Sequence, residues 1–434
     1  MRQSRRGFLR GAGALGVGFL GGQLPFAGHP ALAAGGGADD FGALQGPDAN
    51  GLMLPPGFTS RVVAVAGQSP VAGASATWHR APDGGATFPT SSGGWVYVSN
   101  SEVDFGGGGV RVIEFDSSAT LVNAYSILSG TSRNCAGGPT PWGTWLSCEE
   151  TSTGLTYECD PLSPGSQGVA RAALGTYKHE AAAVDPTDSA VYLTEDRGDG
   201  LLYRFRPDSF GDLSAGPLEA LEILGSGSIA PGEVREVTWH DIPEPNPTSG
   251  LPTRYQISQV NRFNRGEGIW YGSGFMYFAS TGDHRVWALD CANQTIEILY
   301  DRATSSSPEL TQPDNIFVSP TGDVYAAEDS GNLELVAFTP SGAVKPAMRI
   351  VGHGASEVAG PALSPDGTRM YFSSQSGPTP TGNNGITYEI EGPFVPPPAQ
   401  LVPALGILPG LALATALGFA ARFALGRNAE AEER

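Results

Sequence analysis

The chain has 434 residues, of which 61 are glycine and 35 proline, roughly 22% together against a usual share of roughly 12%. Helix interiors tolerate neither residue well, so this composition excludes a helical bundle and favours many short strands joined by turns. Acidic residues number 44 and basic ones 25, a formal charge of −19, which excludes non-specific binding of nucleic acid through its phosphates.

The N-terminus reads Ser4-Arg5-Arg6-Gly7-Phe8-Leu9-Arg10, continues weakly apolar to Leu20, and offers Ala31-Leu32-Ala33 as a cleavage site. This is the pattern of a twin-arginine export signal over 1–33, read by the machinery that exports folded proteins. Its removal takes four arginines and no acid, leaving −23. Residues 34–53 read as a Gly-rich flexible linker.

The stretch 54–392 is expected to be one catalytic domain. Short runs rich in Val, Tyr and Phe recur with Ser/Asp-Pro-x-Asp/Gly turns between them: 94–115, 183–206, 274–300, 317–338 and 363–373, with a further unit around 220–260. A spacing of about 40–50 residues suits four-stranded blades, so the predicted fold class is all-β, a six-bladed β-propeller. Loops from every blade would meet at one central channel. Residues 393–400 form a Pro-rich spacer. Leu401 to Ala421 is uncharged and is followed by Arg422 and Arg427. Segment 401–425 therefore reads as an apolar C-terminal helix, a membrane anchor or a removable sorting tail.

The densest chemical signal is Asn134-Cys135-Ala136-Gly137-Gly138-Pro139, leading to Trp145-Leu146-Ser147-Cys148-Glu149-Glu150. It reads as a Gly/Pro-rich loop running into a strand that ends in two carboxylates. Adjacent strand residues face opposite ways, so at most one of Glu149 and Glu150 should face the channel. A thiolate suits iron or zinc, and carboxylates suit iron or calcium. Cys135 and Cys148 are also close enough in sequence to form a disulfide, with Cys159 and Cys291 as a second pair or free thiols. No His-x-x-x-His zinc pattern occurs, and no nucleophilic Ser motif stands out.

This segment resembles the signature of the PhoX-type alkaline phosphatases. The resemblance continues through Gly175-Thr176-Tyr177-Lys178-His179-Glu180, Thr194-Glu195-Asp196-Arg197-Gly198-Asp199-Gly200, Arg265-Gly266-Glu267-Gly268, Pro313-Asp314-Asn315-Ile316 and Glu357-Val358-Ala359-Gly360-Pro361. It implies a six-bladed propeller that hydrolyses phosphate monoesters with a buried cluster of iron (Fe3+) and calcium (Ca2+). Carried over residue by residue, Cys135 would ligate iron. Glu150, Glu180 and Glu267 would be carboxylate ligands, with Asp314 and Glu357 as further metal ligands. Glu102 would match an acid of the first blade, although Ser101 stands where the family has His. Arg265 would face the phosphate, and Arg265, Cys135 and Glu150 would form the catalytic set. The protein is expected to be a monomer acting in the periplasm or at the cell surface, with the apolar segment 401–425 as its anchor. Duller readings stand beside this one: Arg265 as a salt link between blades, Glu180 as a surface acid, Asp314-Asn315 as a turn. A non-catalytic calcium- or partner-binding propeller and a calcium-dependent lactonase are the alternative functions.

Overall fold

The computed structural model describes residues 37–379 and 384–395. The export signal and the apolar C-terminal segment lie outside these residues. No helix among the described residues is long and apolar enough to cross a membrane.

The described chain is a succession of antiparallel meanders with only four short 3-10 turns between them. Six strands form an inner ring: Pro82–Pro89, Asn134–Pro139, His179–Val184, Gly266–Gly272, Pro313–Val318 and Val358–Leu363. Each packs against the next, and the sixth packs against the first. Outside the ring the remaining strands pair in order, giving five hydrogen-bonded sheets. Three have four strands and one has five. The fifth has nine strands, because the meander starting at His179 and the one starting at Gly266 join through Arg235–Asp241 and Thr295–Asp301, at only two residue pairs. The all-β, propeller-like expectation thus stands, while the hydrogen-bonded sheets number five.

Early strands of the described chain close the ring by pairing with late ones. Thr59–Val65 pairs with Ile386–Glu391, and Leu52–Met53 pairs with Ile350 and Arg349. Residues 37–53 are accordingly not the free linker that their glycines suggest. Ala38 N donates to Asp323 Oδ2 at 3.1 Å, and Lys345 Nζ donates to the carbonyls of Asp39 and Phe41. Phe41, Phe58 and Phe394 stack edge to face.

A second correction concerns the repeats. Segment 220–260 is not a unit of its own. It supplies the outer strands Leu218–Ile223 and Arg235–Asp241 and a long loop to the meander begun at His179. The missing unit is the thiol-bearing segment itself, with strands Asn134–Pro139, Trp145–Glu149, Thr156–Cys159 and Val169–Ala170. It does not read as a strand because its first strand is Ala136-Gly137-Gly138. Those small residues are there because neighbouring ring strands almost touch. A Cβ on Gly138 would lie 1.8 Å from the carbonyl oxygen of Ala182, and one on Gly268 would lie 2.5 Å from the nitrogen of Ile316.

The core lies between adjacent sheets. Trp95–Ser101 and Phe275–Ser280 are buried at every position, because both faces of such a strand meet a neighbouring sheet. This explains why hydrophobic alternation is only partial in the sequence. All four cysteines are free thiols.

Candidate metal centre

The six ring strands share a local design. The second residue of five of them is Asp83, Cys135, Glu180, Glu267 or Asp314, and Glu357 immediately precedes the sixth. Directly after each start the pairing register slips, between Pro82 and Gly85, Asn134 and Gly137, His179 and Ala182, Gly266 and Ile269, and Pro313 and Ile316. A bulge releases its residue from the ladder and re-aims the side chain. Here the released residue is the acid or thiol in all five strands. The residue before the strand is left-handed in four cases: Ala81, Arg133, Arg265 and Gln312 have φ of 44°, 50°, 58° and 43°. Non-glycine residues adopt this region only at a cost, and the recurrence marks a corner built to turn the chain into the channel mouth.

A second tier comes from the residue just after the second strand of a meander. Glu102 follows Trp95–Ser101, Glu150 follows Trp145–Glu149, Asp196 follows Val191–Glu195, Asp329 follows Val324–Glu328, and Gln375 follows Arg369–Ser374. The strand-end residue beside each faces the other way. Glu149 accepts from the backbone nitrogens of Ser132 and Leu155, and Glu328 from those of Thr311 and Glu334. Strand alternation therefore sends Glu150, and not Glu149, to the mouth.

Two groups of donors are compact enough to hold a cation. One is Asp83, Glu102 and Cys135, the other Glu180, Glu267 and Asp314, with the donor atoms of each group within 4.8 Å of one another. In the first, Cys135 Sγ–H donates to Asp83 Oδ2 at 3.6 Å, and the Gln375 amide donates to Asp83 Oδ2 at 2.7 Å and to Glu102 Oε2 at 2.9 Å. In the second, both carboxylate oxygens of Glu180 are buried and accept no hydrogen bond among the described residues. A bare buried carboxylate is costly, and a bound cation is the usual remedy.

Three cations rim these groups. Arg133 pairs with Glu102 at 2.5 Å and with Glu150. Lys178 Nζ lies 2.5 Å from both Glu150 Oε1 and Asp196 Oδ2. Arg265 reaches Asp196 at 2.9 Å, Glu267 at 2.9 Å and Asp329 at 3.7 Å. The mouth keeps an excess of acid even so. Burial first, then repulsion from Glu267, Glu150 and Asp314, holds Glu180 well above the carboxylate range. Burial and Asp314 do the same to Glu267, and burial and Asp83 to Asp314 and Glu357. Burial and Asp83 also push up the Cys135 thiol. Glu150 is raised to about 8, chiefly by burial and then by its contact with Asp196. Burial also acts to raise Asp196, but hydrogen bonds from Glu150, Arg265 and Lys178 outweigh it and draw Asp196 down to about 2.

The structure thus brings Glu102, Cys135, Glu150, Glu180, Arg265, Glu267, Asp314 and Glu357 to one mouth. Sequence reasoning missed Asp83, Asp329, Arg133 and Gln375 and gave no role to Lys178 or Asp196. Two signals were present. Pro82-Asp83-Gly84 mirrors Pro313-Asp314-Asn315. The adjacent acids of Glu328-Asp329 mirror those of Glu149-Glu150 and Glu195-Asp196.

Comparison with known proteins agrees with this geometry. No curated protein sequence matches significantly. Among solved structures, PhoX of Pseudomonas fluorescens in complex with vanadate, a transition-state analogue, superposes with a TM-score of 0.67 at 17% identity, over 81% of this chain and 98% of that one. A gluconolactonase of Xanthomonas campestris gives a TM-score of 0.47 at 12% identity, over 81% and 97% of the two chains. At that distance only the shared fold of the first carries weight. Residues 99–297 match the family described as alkaline phosphatase PhoX. That span carries Cys135, Glu150, Glu180, Arg265 and Glu267.

Proposed function

We propose that the chain is an exported, metal-dependent phosphatase that releases phosphate from phosphate monoesters, built on a six-bladed propeller. The closed ring of six inner strands supports the blade count, with the nine-stranded sheet taken as two blades joined at their outer edges. The observation that carries the function is the bare Glu180 carboxylate inside a group of buried acids, beside a guanidinium at the mouth.

The donor sets fit the implied metals. Asp83, Glu102 and Cys135 combine a thiol with hard oxygens and would hold iron. Glu180, Glu267 and Asp314 are all oxygen and would hold a hard cation such as calcium, with Glu357 beside them. Bound there, the metals would supply Lewis acidity toward a phosphate oxygen and activate the attacking oxygen.

The rest falls to the chain's own residues. Arg265 presents a planar fork that matches two phosphoryl oxygens, which a lysine cannot do. Asp196, Glu267 and Asp329 hold that fork at the mouth from three sides. Arg133 and Lys178 bind acids of the outer tier and keep Glu150 and Glu102 in place. The corners before the ring strands fix these side chains on rigid backbone, so little reorganisation is needed as charge develops on the phosphoryl group. The sequence patterns at 1–33 and 401–425 support action outside the cytoplasm at a membrane surface. Replacing Arg5-Arg6 with lysines is expected to leave the protein in the cytoplasmic fraction.

The test is metal analysis of the purified full chain together with hydrolysis of p-nitrophenyl phosphate. Iron and calcium in stoichiometric amounts, a visible absorption band lost in Cys135→Ala, and loss of turnover in the same variant are the expected results. A metal-free protein that is fully stable at neutral pH, or metal-loaded protein without turnover, would overturn the reading.

A further inference from the structure

Every cation named at the mouth so far is already paired with carboxylates. Arg133 and Lys178 each face two, and Arg265 faces three. Arg197 is different. It sits beside Asp196 in the turn after the strand Val191–Glu195, forms no ion pair among the described residues, and has its Nε buried with no hydrogen-bond partner. Its backbone is tied to the site: its carbonyl accepts from the nitrogen of Arg265 at 2.8 Å and from that of Gly200 at 2.9 Å.

A second guanidinium flanks the same turn. Arg262 is exposed, donates Nη1–H to the carbonyl of Asp199 at 3.2 Å, and lies 5.5 Å from the ring centre of Tyr255. It too has no carboxylate within ion-pairing distance among the described residues. Asp199 attracts it from beyond ion-pairing distance and is itself engaged by Arg254 at 3.1 Å and by the Tyr255 hydroxyl at 2.6 Å. Acids outnumber bases 44 to 25 in this chain, so two guanidinia around one turn that form no ion pair among the described residues run against its composition. Leaving a partly buried guanidinium unpaired is unfavourable unless an anion completes it.

We propose that Arg197 and Arg262 form a subsite for a second anionic group of the ester, a phosphoryl or carboxylate group on the part of the substrate that departs. The inference rests on the phosphatase reading and narrows its substrate class. Asp196 links the two sites: its carboxylate holds Arg265, and its chain neighbour Arg197 accepts from the Arg265 nitrogen through its carbonyl. The preferred substrates are therefore esters with two anionic groups, ahead of phosphate esters of neutral alcohols.

Kinetics of the metal-loaded full chain on three probes test this: glycerol 1-phosphate, 3-phosphoglycerate and fructose 1,6-bisphosphate. In Arg197→Gln, KM for the two doubly anionic probes is expected to rise about tenfold more than KM for glycerol 1-phosphate, the loss of one charge-assisted contact. Arg262→Gln, at an exposed side chain, should show the same selectivity at about threefold, and Arg197→Lys should restore part of it. A larger effect on the bisphosphate assigns the subsite to phosphoryl groups, and a larger effect on the phosphoglycerate assigns it to carboxylates. Equal changes on all three probes, or no preference in the parent protein, would overturn the subsite alone. Should Arg197→Gln lose its circular dichroism, Arg262→Gln decides. No hydrolysis of any probe by the parent overturns the phosphatase reading, and the subsite with it.

Discussion

The two donor groups share one mouth, yet the protein treats them differently. Around Asp83, Glu102 and Cys135 it supplies its own donors: the Gln375 amide bridges the two carboxylates, and Arg133 pairs with Glu102. Around Glu180, Glu267 and Asp314 the side-chain donors reach only the edges, Arg265 at Glu267 and the Asn315 amide at Asp314, and Glu180 is left bare. The first group is partly neutralised by the fold. The second is left without such compensation among the described residues. A buried site built this way trades stability of the empty protein for affinity when filled.

The largest test of that contrast is Glu180→Gln. It should lower turnover of the loaded enzyme about a thousandfold, the loss of several kcal/mol of charge stabilisation. In chelator it should do the reverse for the fold, raising Tm by about 2–4 °C, because the cost of burying an acid that must take up a proton on folding disappears. A variant that loses turnover but melts no higher in chelator would show that Glu180 is not strained by its neighbours.

Arg265→Lys comes next. It keeps the charge but loses the fork, and kcat/KM should fall about a hundredfold. Steady-state kinetics in which only KM moves would place Arg265 in ground-state binding alone. Gln375→Ala removes the bridge of the first group. It should weaken metal binding there by about tenfold, at the low end for a residue that orients ligands. Metal titration followed by absorbance would read this, and an unchanged affinity would mean that the amide serves only the empty state.

The smallest effect is a pH trend. Glu150 is raised to about 8 in the folded, metal-free protein against 4.5 when free. The folded state holds this proton more tightly, so the associated stability is complete below about pH 4.5 and is lost as pH rises toward 8. In chelator Tm should therefore decline between pH 5 and 8, and added metal should flatten the decline. A rise over that interval would contradict the crowding of acids at the mouth.

Much of the fold was legible because its signals are local. Turns such as Ser364-Pro365-Asp366-Gly367 and runs such as Trp95–Ser101 state strand and turn within a few residues. The thiol-bearing unit escaped notice because its inner strand is written in glycine, a requirement of close strand approach that no local propensity expresses. The step from His179 to Gly266 is nearly twice the others, since one meander carries extra chain, and this misplaced the sixth unit. Cys135, Glu180 and Glu267 were found through their resemblance to a family signature. Asp83 lacked that help, and a lone Pro-Asp-Gly reads as a turn.

By itself the sequence determined the strand-rich composition, the turn chemistry, the alternation that separates Glu149 from Glu150, and the presence of a thiol among acids. Those follow from single residues and near neighbours. Which of the 44 acids face one another was decided only by tertiary structure. Pairing of Thr59–Val65 with Ile386–Glu391 closes the ring, and closure carries the second residues of strands starting at positions 82, 134, 179, 266 and 313 into one mouth. No property of any one of those segments contains that meeting, because the repulsion and the metal affinity arise between them.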